Sequence, residues 1–224
     1  MGVIRYDITE DAFDLQRTSS FELSILTGVD SSSYLITDEN RAVVCTRTLA
    51  HSPFEEWWKD EQRIQLHFQK TRLAWTGSTF TLVPARLYNG ENRKSLLSAL
   101  ATPPATATIL ADPIPELDAV VVYAIEQDQL TQWRRVFDGC RIYHAVTPLL
   151  HLMRQQTVKA GRPLVFAFLF DKNMTTVALS ADRLLFCNSF VCKDTKDYLY
   201  YLLLTYEQAG LSPEKIRFAW LEKS

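Results

Sequence analysis

The chain contains the same order of predicted elements twice, and this internal repeat restricts the fold more than any other feature. In the second copy, three β-rich segments (PLVFAFLF, MTTVALSA and RLLFCNSF) are separated by the turn residues Asp171-Lys172-Asn173 and Ala181-Asp182. The first copy has FELSILTG, SYLITDEN and RAVVCTRTL in the same order. Short apolar segments between turn residues are typical of antiparallel hairpins. Each copy therefore predicts a three-stranded meander.

A helix and a further strand are predicted after each meander. In the second copy Asp194 caps the segment DYLYYLLLTYEQA, Gly210 ends it, and IRFAWL is the last strand. In the first copy Ser52-Pro53-Phe54-Glu55 has the residues of a helix start, and TRLAW follows as a strand. The sequence thus predicts an α+β (α/β-like) protein made of two similar halves, the pattern that gene duplication produces.

Three segments are predicted along the chain. Residues 1–20 are polar and weakly patterned, which predicts an N-terminal arm that packs on the body. The first half covers residues 21–104 and the second covers residues 105–224, and the Pro-rich stretch TPPATAT forms a stiff connector between them.

Composition predicts a cytoplasmic globular protein. Of the 224 residues, 47% are apolar and 22% are charged, and the net charge of −2 gives no basic footprint for nucleic acid. The apolar runs are far shorter than the roughly 20 residues of a membrane span, and the acidic N-terminus does not resemble a signal peptide. The four cysteines are widely spaced, which favours reduced, buried thiols over disulfides. The alternative interpretation is that Cys187 and Cys192 bind a metal ion as a pair.

Several sequence segments resemble those of one protein family. They are FTLVP at Phe80–Pro84, the stretch from His144 to Leu150, LLFCNSF at Leu184–Phe190 and DYLYYLLLTYEQAGLSPEK at Asp197–Lys215. These segments are similar to sequences of an uncharacterised bacterial domain-of-unknown-function family with the actin-like ATPase fold. The resemblance covers most of the chain from residue 21 and implies two ribonuclease-H-like halves. Family members continue past the last strand, so the resemblance also implies a second half that is truncated at its C-terminal end.

An actin-like ATPase binds phosphates with two strand–turn–strand loops, each with an Asp near Mg²⁺. The resemblance assigns these nucleotide-binding roles to Asp30, Ser31, Ser32, Ser33, Asp171, Lys172, Asn173, Thr175 and Thr176. The glycine that normally follows the Asp is missing from both loops, where Ser31 or Lys172 takes its place. A Cβ at that point obstructs close approach of the backbone to phosphate. The alternative interpretation is that both loops are simple hairpin turns.

The sequence contains residues for two further chemistries. Cys140, His144 and His151 would share a face on one continuous helix and bind zinc, but Thr147-Pro148 predicts a helix start that separates them. A ribonuclease-H-like metal-dependent nuclease needs three or four convergent carboxylates, and Asp30 has no evident second member. We expect a structural His144 and no catalytic residue or metal site.

Protein contacts are the function that the sequence favours. In the helix after the second meander, Tyr198, Tyr201 and Thr205 lie near one face and predict a partner face. We predict a non-catalytic actin-like module that acts through an unknown protein partner or through self-association, without a cofactor, nucleic acid or membrane. The rival hypothesis is an ATP- and Mg-binding ATPase or switch that uses Asp30 and Asp171.

Overall fold

The computed structural model describes residues 3–51, 56–170, 173–213 and 218–222. In these residues the strands are β1 Val3–Thr9, β2 Glu22–Thr27, β3 Ser31–Thr37, β4 Val43–Ala50, β5 Lys70–Trp75, β6 Phe80–Pro84, β7 Ala107–Ile114, β8 Ala119–Glu126, β9 Arg141–His144, β10 Leu164–Phe170, β11 Asn173–Leu179, β12 Leu184–Val191 and β13 Phe218–Glu222. The α-helices are α1 Arg93–Ser98, α2 Gln127–Val136, α3 Val146–Ala160 and α4 Thr195–Gln208.

The two meanders have the same topology. In the first sheet the strand order is β1-β4-β3-β2-β5-β9, and in the second it is β12-β11-β10-β13. The run β4-β3-β2-β5 therefore corresponds to β12-β11-β10-β13. In both runs the meander is antiparallel and the added strand, β5 or β13, is parallel to the first strand of its meander. The repeated ribonuclease-H-like plan predicted from the sequence is confirmed.

The chain divides into two compact units. The first contains residues 1–77, 104–108 and 125–145, and the second contains residues 78–103, 109–124 and 146–224. Strands β7 and β8 each contribute residues to both units. The third sheet has the order β6-β8-β7. The linear division at residues 20 and 104 stays a prediction.

In the first unit, residues 3–9 are part of the sheet instead of an arm on its surface. Strand β1 pairs antiparallel with β4, and Arg47 on β4 forms ion pairs with Asp7 and with Glu61. Arg63 also binds Asp7, with Nη1 3.0 Å from the carboxylate oxygen. Glu61 is only 5% exposed, so the guanidinium of Arg47 compensates a charge that water barely reaches.

In the described residues, short 3-10 segments stand where an α-helix is predicted after the first meander. Its predicted start, residues 52–55, lies outside the described residues, and the following residues form short 3-10 segments at Trp57–Asp60 and Gln62–Ile64. The neighbouring side chains of Trp57 and Trp58 are both buried.

In the second unit, α4 packs on one face of the β12-β11-β10-β13 sheet. Its contacts with the sheet form two apolar clusters, one around Val165, Ala178 and Tyr206 and the other around Ala167, Met174 and Cys192. The alternate residues of β10 and β11 are buried as well. Burial on both faces explains why PLVFAFLF is continuously apolar instead of alternating.

Among the helices that the structure describes, none combines the length and the apolar character needed to cross a bilayer. The cytoplasmic location stays a prediction.

Candidate functional site

The first predicted phosphate loop is a tight hairpin turn. The backbone N–H of Gly28 donates to the carbonyl oxygen of Ser31 at 2.9 Å, so Val29 and Asp30 are the two turn residues. The N–H of His51 donates to the Asp30 carbonyl at 2.8 Å. Asp30 is exposed, whereas Ser31 is buried. The backbone of this loop therefore closes on itself and on residue 51.

The hydroxyl groups next to this turn bond inside the first unit. Ser32 is fully buried, and its Oγ lies 2.7 Å from Thr27 Oγ1 and 2.9 Å from His51 Nε2. Ser33 Oγ lies 3.0 Å from Thr48 Oγ1 on the neighbouring strand. A hydroxyl has one donor and two acceptor positions, so two close partners use most of the capacity of Ser32.

The second predicted loop has the same register. Phe170 pairs with Asn173 across the β10–β11 turn, in the place of Gly28 and Ser31 in the first meander. Asp171 and Lys172, the two residues between them, lie outside the described residues. Asn173 is the first residue of β11 and is half-buried.

The two threonines of the second loop also bond within the protein. Thr175 Oγ1 donates to Ser189 Oγ at 3.2 Å. Thr176 is fully buried, and its Oγ1 lies 2.7 Å from Thr205 Oγ1 on α4. Thr175 and Ser189 occupy the positions of Ser33 and Thr48 in the first meander. Ser32, Ser33, Thr175 and Thr176 thus use their hydroxyls for contacts within the protein, and the nucleotide-binding role of the two loops stays a prediction.

The predicted partner face of α4 lies against its own sheet. Tyr198 and Tyr201 pack on the cluster around Met174, and Thr205 is fully buried. Hydrogen bonding between Thr205 and Thr176 fixes this side of the helix inward. The face predicted to meet a partner is therefore the face that packs on the sheet. The large apolar residues that α4 exposes are on its other side.

The exposed apolar residues of α4 are Leu199 at 58%, Tyr200 at 61% and Leu203 at 48% exposure. Tyr200 contacts Tyr201 edge-on with ring centroids 5.2 Å apart, and Tyr201 stacks on Phe190 at 4.2 Å. The exposed ring is therefore held by a ring that is itself packed on the sheet.

The predicted structural role of His144 agrees with its surroundings. Its side chain is buried on β9, and Nε2 donates to the Gly77 carbonyl at 2.8 Å. Burial lowers the pKa of His144 to about 4, so the imidazole is neutral. His151 lies on α3, where Nδ1 is 3.5 Å from Glu116. All four cysteines are free thiols, and the described residues contain no group of three metal-binding side chains.

A buried carboxylate, Asp112 on β7, was missed by sequence reasoning. Asp112 is 8% exposed, and it accepts hydrogen bonds from Thr147 Oγ1 at 2.7 Å and from Tyr123 Oη at 3.3 Å. Thr147, predicted as a helix cap, lies in the first turn of α3 and donates to this carboxylate. In the sequence, Asp112 stands between Ala111 and Pro113 without any motif, so only tertiary structure identifies its partners.

The first unit also has a surface groove with a volume of about 380 Å³ between the 3-10 segments and α2. Its charged lining residues are Glu56, Lys59 and Arg135, and Lys59 forms an ion pair with Glu56. Ligand pockets are mainly apolar with a few converging polar groups. This charged groove does not have that character, and its lining contains no predicted loop residue from the part of the chain that the structure describes.

Comparison with known proteins gives a family and a fold. A family model described as protein of unknown function (DUF3822) matches residues 10–221. A search of curated proteins found no match. A crystal structure from Bacteroides thetaiotaomicron VPI-5482, described as a protein with actin-like ATPase fold and unknown function, is similar with a TM-score of 0.85 and 17% identity, covering 95% of this chain and 85% of that chain.

Two more distant structures are similar at a lower level. The Ppx/GppA family member from Aquifex aeolicus has a TM-score of 0.39 at 8% identity, covering 84% of this chain and 61% of that chain. The exopolyphosphatase from Cytophaga hutchinsonii ATCC 33406 has a TM-score of 0.38 at 10% identity, covering 81% of this chain and 53% of that chain. These similarities are too weak to indicate an activity. The chain belongs to the DUF3822 family of proteins of unknown function, and it has the actin-like ATPase fold.

Proposed function

We propose that this protein is a non-catalytic module with the actin-like fold, which acts by binding protein. The observation that carries the proposal is the internal use of the loop hydroxyls. Ser32 is bonded to Thr27 and His51, and Thr176 is bonded to Thr205. A phosphate ligand would have to replace these bonds, and breaking a buried hydrogen bond without a substitute costs about 1–3 kcal/mol per group.

A second observation supports contact with protein. The exposed side of α4 presents two leucines and a tyrosine, whereas its other side is covered by the sheet. Exposed apolar residues grouped on one element are typical of interaction sites, and tyrosine is enriched in such sites. The rigid support of Tyr200 by Tyr201 reduces the entropy that binding would remove.

The competing hypothesis is a nucleotide switch, and the exposed carboxylate of Asp30 at a turn of this fold is the observation in its favour. Calorimetric titration of Mg-ATP and Mg-ADP separates the two. We expect no binding heat and no thermal shift at millimolar nucleotide, for the wild type and for the Asp30→Ala and Asp171→Ala variants.

The control is Asp182→Ala, which changes an aspartate in the β11–β12 turn, outside the two loops. Micromolar, Mg-dependent binding that is lost in Asp30→Ala or Asp171→Ala but kept in Asp182→Ala would overturn the proposal. Such binding would make the protein a nucleotide switch despite the missing turn glycines.

A further inference from the structure

The exposed side of α4 has a charge at each end and apolar residues between them. Lys196 stands at the N-terminal end and Glu207 at the C-terminal end, and both are exposed. Leu199, Tyr200 and Leu203 lie between them at spacings of three and four residues, which places the set on one side of the helix. Neither Lys196 nor Glu207 has an ion-pair partner among the described residues.

This arrangement is complementary to itself in the antiparallel orientation. When two such helices lie side by side in opposite directions, Lys196 of each copy faces Glu207 of the other, and Leu203 faces Leu199 and Tyr200. We propose that α4 is a homodimer interface, in which two copies pair antiparallel about a two-fold axis between Tyr200 and Leu203. The inference deepens the proposed function, since it names a second copy of this chain as the binding partner.

Symmetry is the reason for choosing a second copy over another protein. A two-fold interface brings the same surface of each copy together, so it requires a surface that matches itself. Opposite charges at the two ends of one apolar stripe meet that requirement, whereas binding to an unrelated partner does not need it. The net charge of −2 also produces little repulsion between copies.

The size of the stripe predicts a weak dimer. From Lys196 to Glu207 there are eleven steps along the helix (207 − 196), or about 16 Å at 1.5 Å per residue. One helix pair of this length buries less than the roughly 800 Å² per partner of a standard stable interface. We therefore expect dissociation constants on the order of micromolar, with the apolar centre giving affinity and the end charges giving orientation.

Charge exchange tests the orientation, measured by sedimentation velocity over a series of protein concentrations. The Lys196→Glu variant and the Glu207→Lys variant each place like charges together at both ends of the dimer, so each should weaken dimerisation by about tenfold. The double variant restores opposite charges and should dimerise like the wild type. An equal mixture of the two single variants should form heterodimers of wild-type strength.

Unfolding does not explain the expected loss in the single variants. An acidic side chain near the start of a helix and a basic one near its end both favour the helix dipole. Single variants that dimerise like the wild type, or a double variant that stays as weak as the singles, would overturn the antiparallel interface.

Leu203→Glu tests the centre of the stripe. Because Leu203 would lie near the two-fold axis, each dimer would bury two added carboxylates, and we expect dimerisation to weaken by about 30-fold or more. Leu100→Glu is the matched control, since Leu100 is a more exposed leucine in the same unit, at 76%. Thermal midpoints measured at low concentration check that both variants are folded.

A wild type that stays monomeric at all concentrations, or a dimer that survives Leu203→Glu, would overturn the inference. The dimer is measured without nucleotide, so its failure is distinct from a failure of the proposed function, which only the Mg-ATP titration decides.

Discussion

His144 should make the stability of the protein depend on pH in a defined window. Its imidazole is 2% exposed, and burial lowers its pKa to about 4, against about 6.5 for an unperturbed histidine. The unfolded chain therefore binds a proton at a pH where the folded chain does not. Stability that depends on a neutral His144 is fully present above pH about 6.5 and decreases as the pH falls from there towards 4.

The size of the effect follows from the difference between the two pKa values. A difference of about 2.5 units corresponds to about 3 kcal/mol at most, at 1.36 kcal/mol per unit. At pH 5 the unfolded histidine is almost fully protonated and the folded one is mostly neutral, so the loss relative to pH 7 is about 2 kcal/mol. This is a large share of the 5–15 kcal/mol or so that stabilises a typical domain.

The assay is urea denaturation at several pH values between about 5 and 7, for the wild type and the His144→Gln variant. Glutamine lacks the titrating ring, so the variant should lose about 2 kcal/mol less than the wild type over this range, whatever its stability at pH 7. His67→Gln, at an exposed histidine, should behave like the wild type. Equal pH dependence of wild type and His144→Gln would refute the reasoning, because the protonation of His144 would then be the same in the folded and unfolded states.

Three further predictions concern polar side chains that are paired within the protein. Arg47→Met should destabilise the protein by about 3–5 kcal/mol in urea denaturation, because it leaves Glu61 as a buried charge without its partner; a loss below about 1 kcal/mol would contradict this. The hydrogen bond from Arg47 also holds the pKa of Asp7 low, so the stability from Asp7 is present above its unfolded pKa of about 3.9 and is lost as the pH falls through the lower folded value. Thr205→Val leaves the buried Thr176 hydroxyl without its partner and should cost about 1–3 kcal/mol. Thr176→Val should cost less, because the Thr205 hydroxyl keeps its bond to the Tyr201 carbonyl at 2.8 Å. The double variant should cost clearly less than the sum of the two, since it leaves no Thr176 hydroxyl unpaired. Strict additivity in this cycle would show that the two hydroxyls do not interact.

The sheet topology was predictable because it depends on local patterns. Alternating apolar residues mark the strands, and turns such as Asp38-Glu39-Asn40 force antiparallel neighbours. Strand β1 carried the same signal, since Ile4, Tyr6 and Ile8 alternate with polar residues. Residues 1–20 as a whole are polar and weakly patterned, which predicts an arm. In the strand itself Ile4, Tyr6 and Ile8 are exposed and Asp7 pairs with Arg47 on β4, the reverse of the usual pattern.

The buried side of α4 was not predictable from the sequence. The helix has apolar residues on two sides, so periodicity alone does not decide which side meets the sheet. The choice depends on Thr176, a buried hydroxyl on β11 that needs a partner on the helix, and Thr205 supplies it. A contact between residues 29 positions apart has no local signal.

The sequence leaves two interpretations of the loops open for a physical reason that applies to other chains. Asp, Ser and Thr near a strand–turn–strand junction fit a phosphate loop and a hairpin equally well, because both need short polar side chains beside a turn. What separates the two is the backbone. A phosphate loop leaves its N–H groups open to the ligand, whereas at the β2–β3 turn the N–H of Gly28 donates across the turn to Ser31.

The hydroxyl pairs beyond the turn also distinguish a hairpin from a phosphate loop. Ser33 bonds Thr48 in the first meander, and Thr175 bonds Ser189 in the second, at corresponding positions of the two ladders. A hydroxyl pair that occurs at the same ladder position in both halves is explained by cross-strand pairing in the sheet, without any ligand. In a duplicated chain, residue types that recur in both halves are therefore weak evidence for a phosphate site until the backbone N–H groups of the turn are shown to be open.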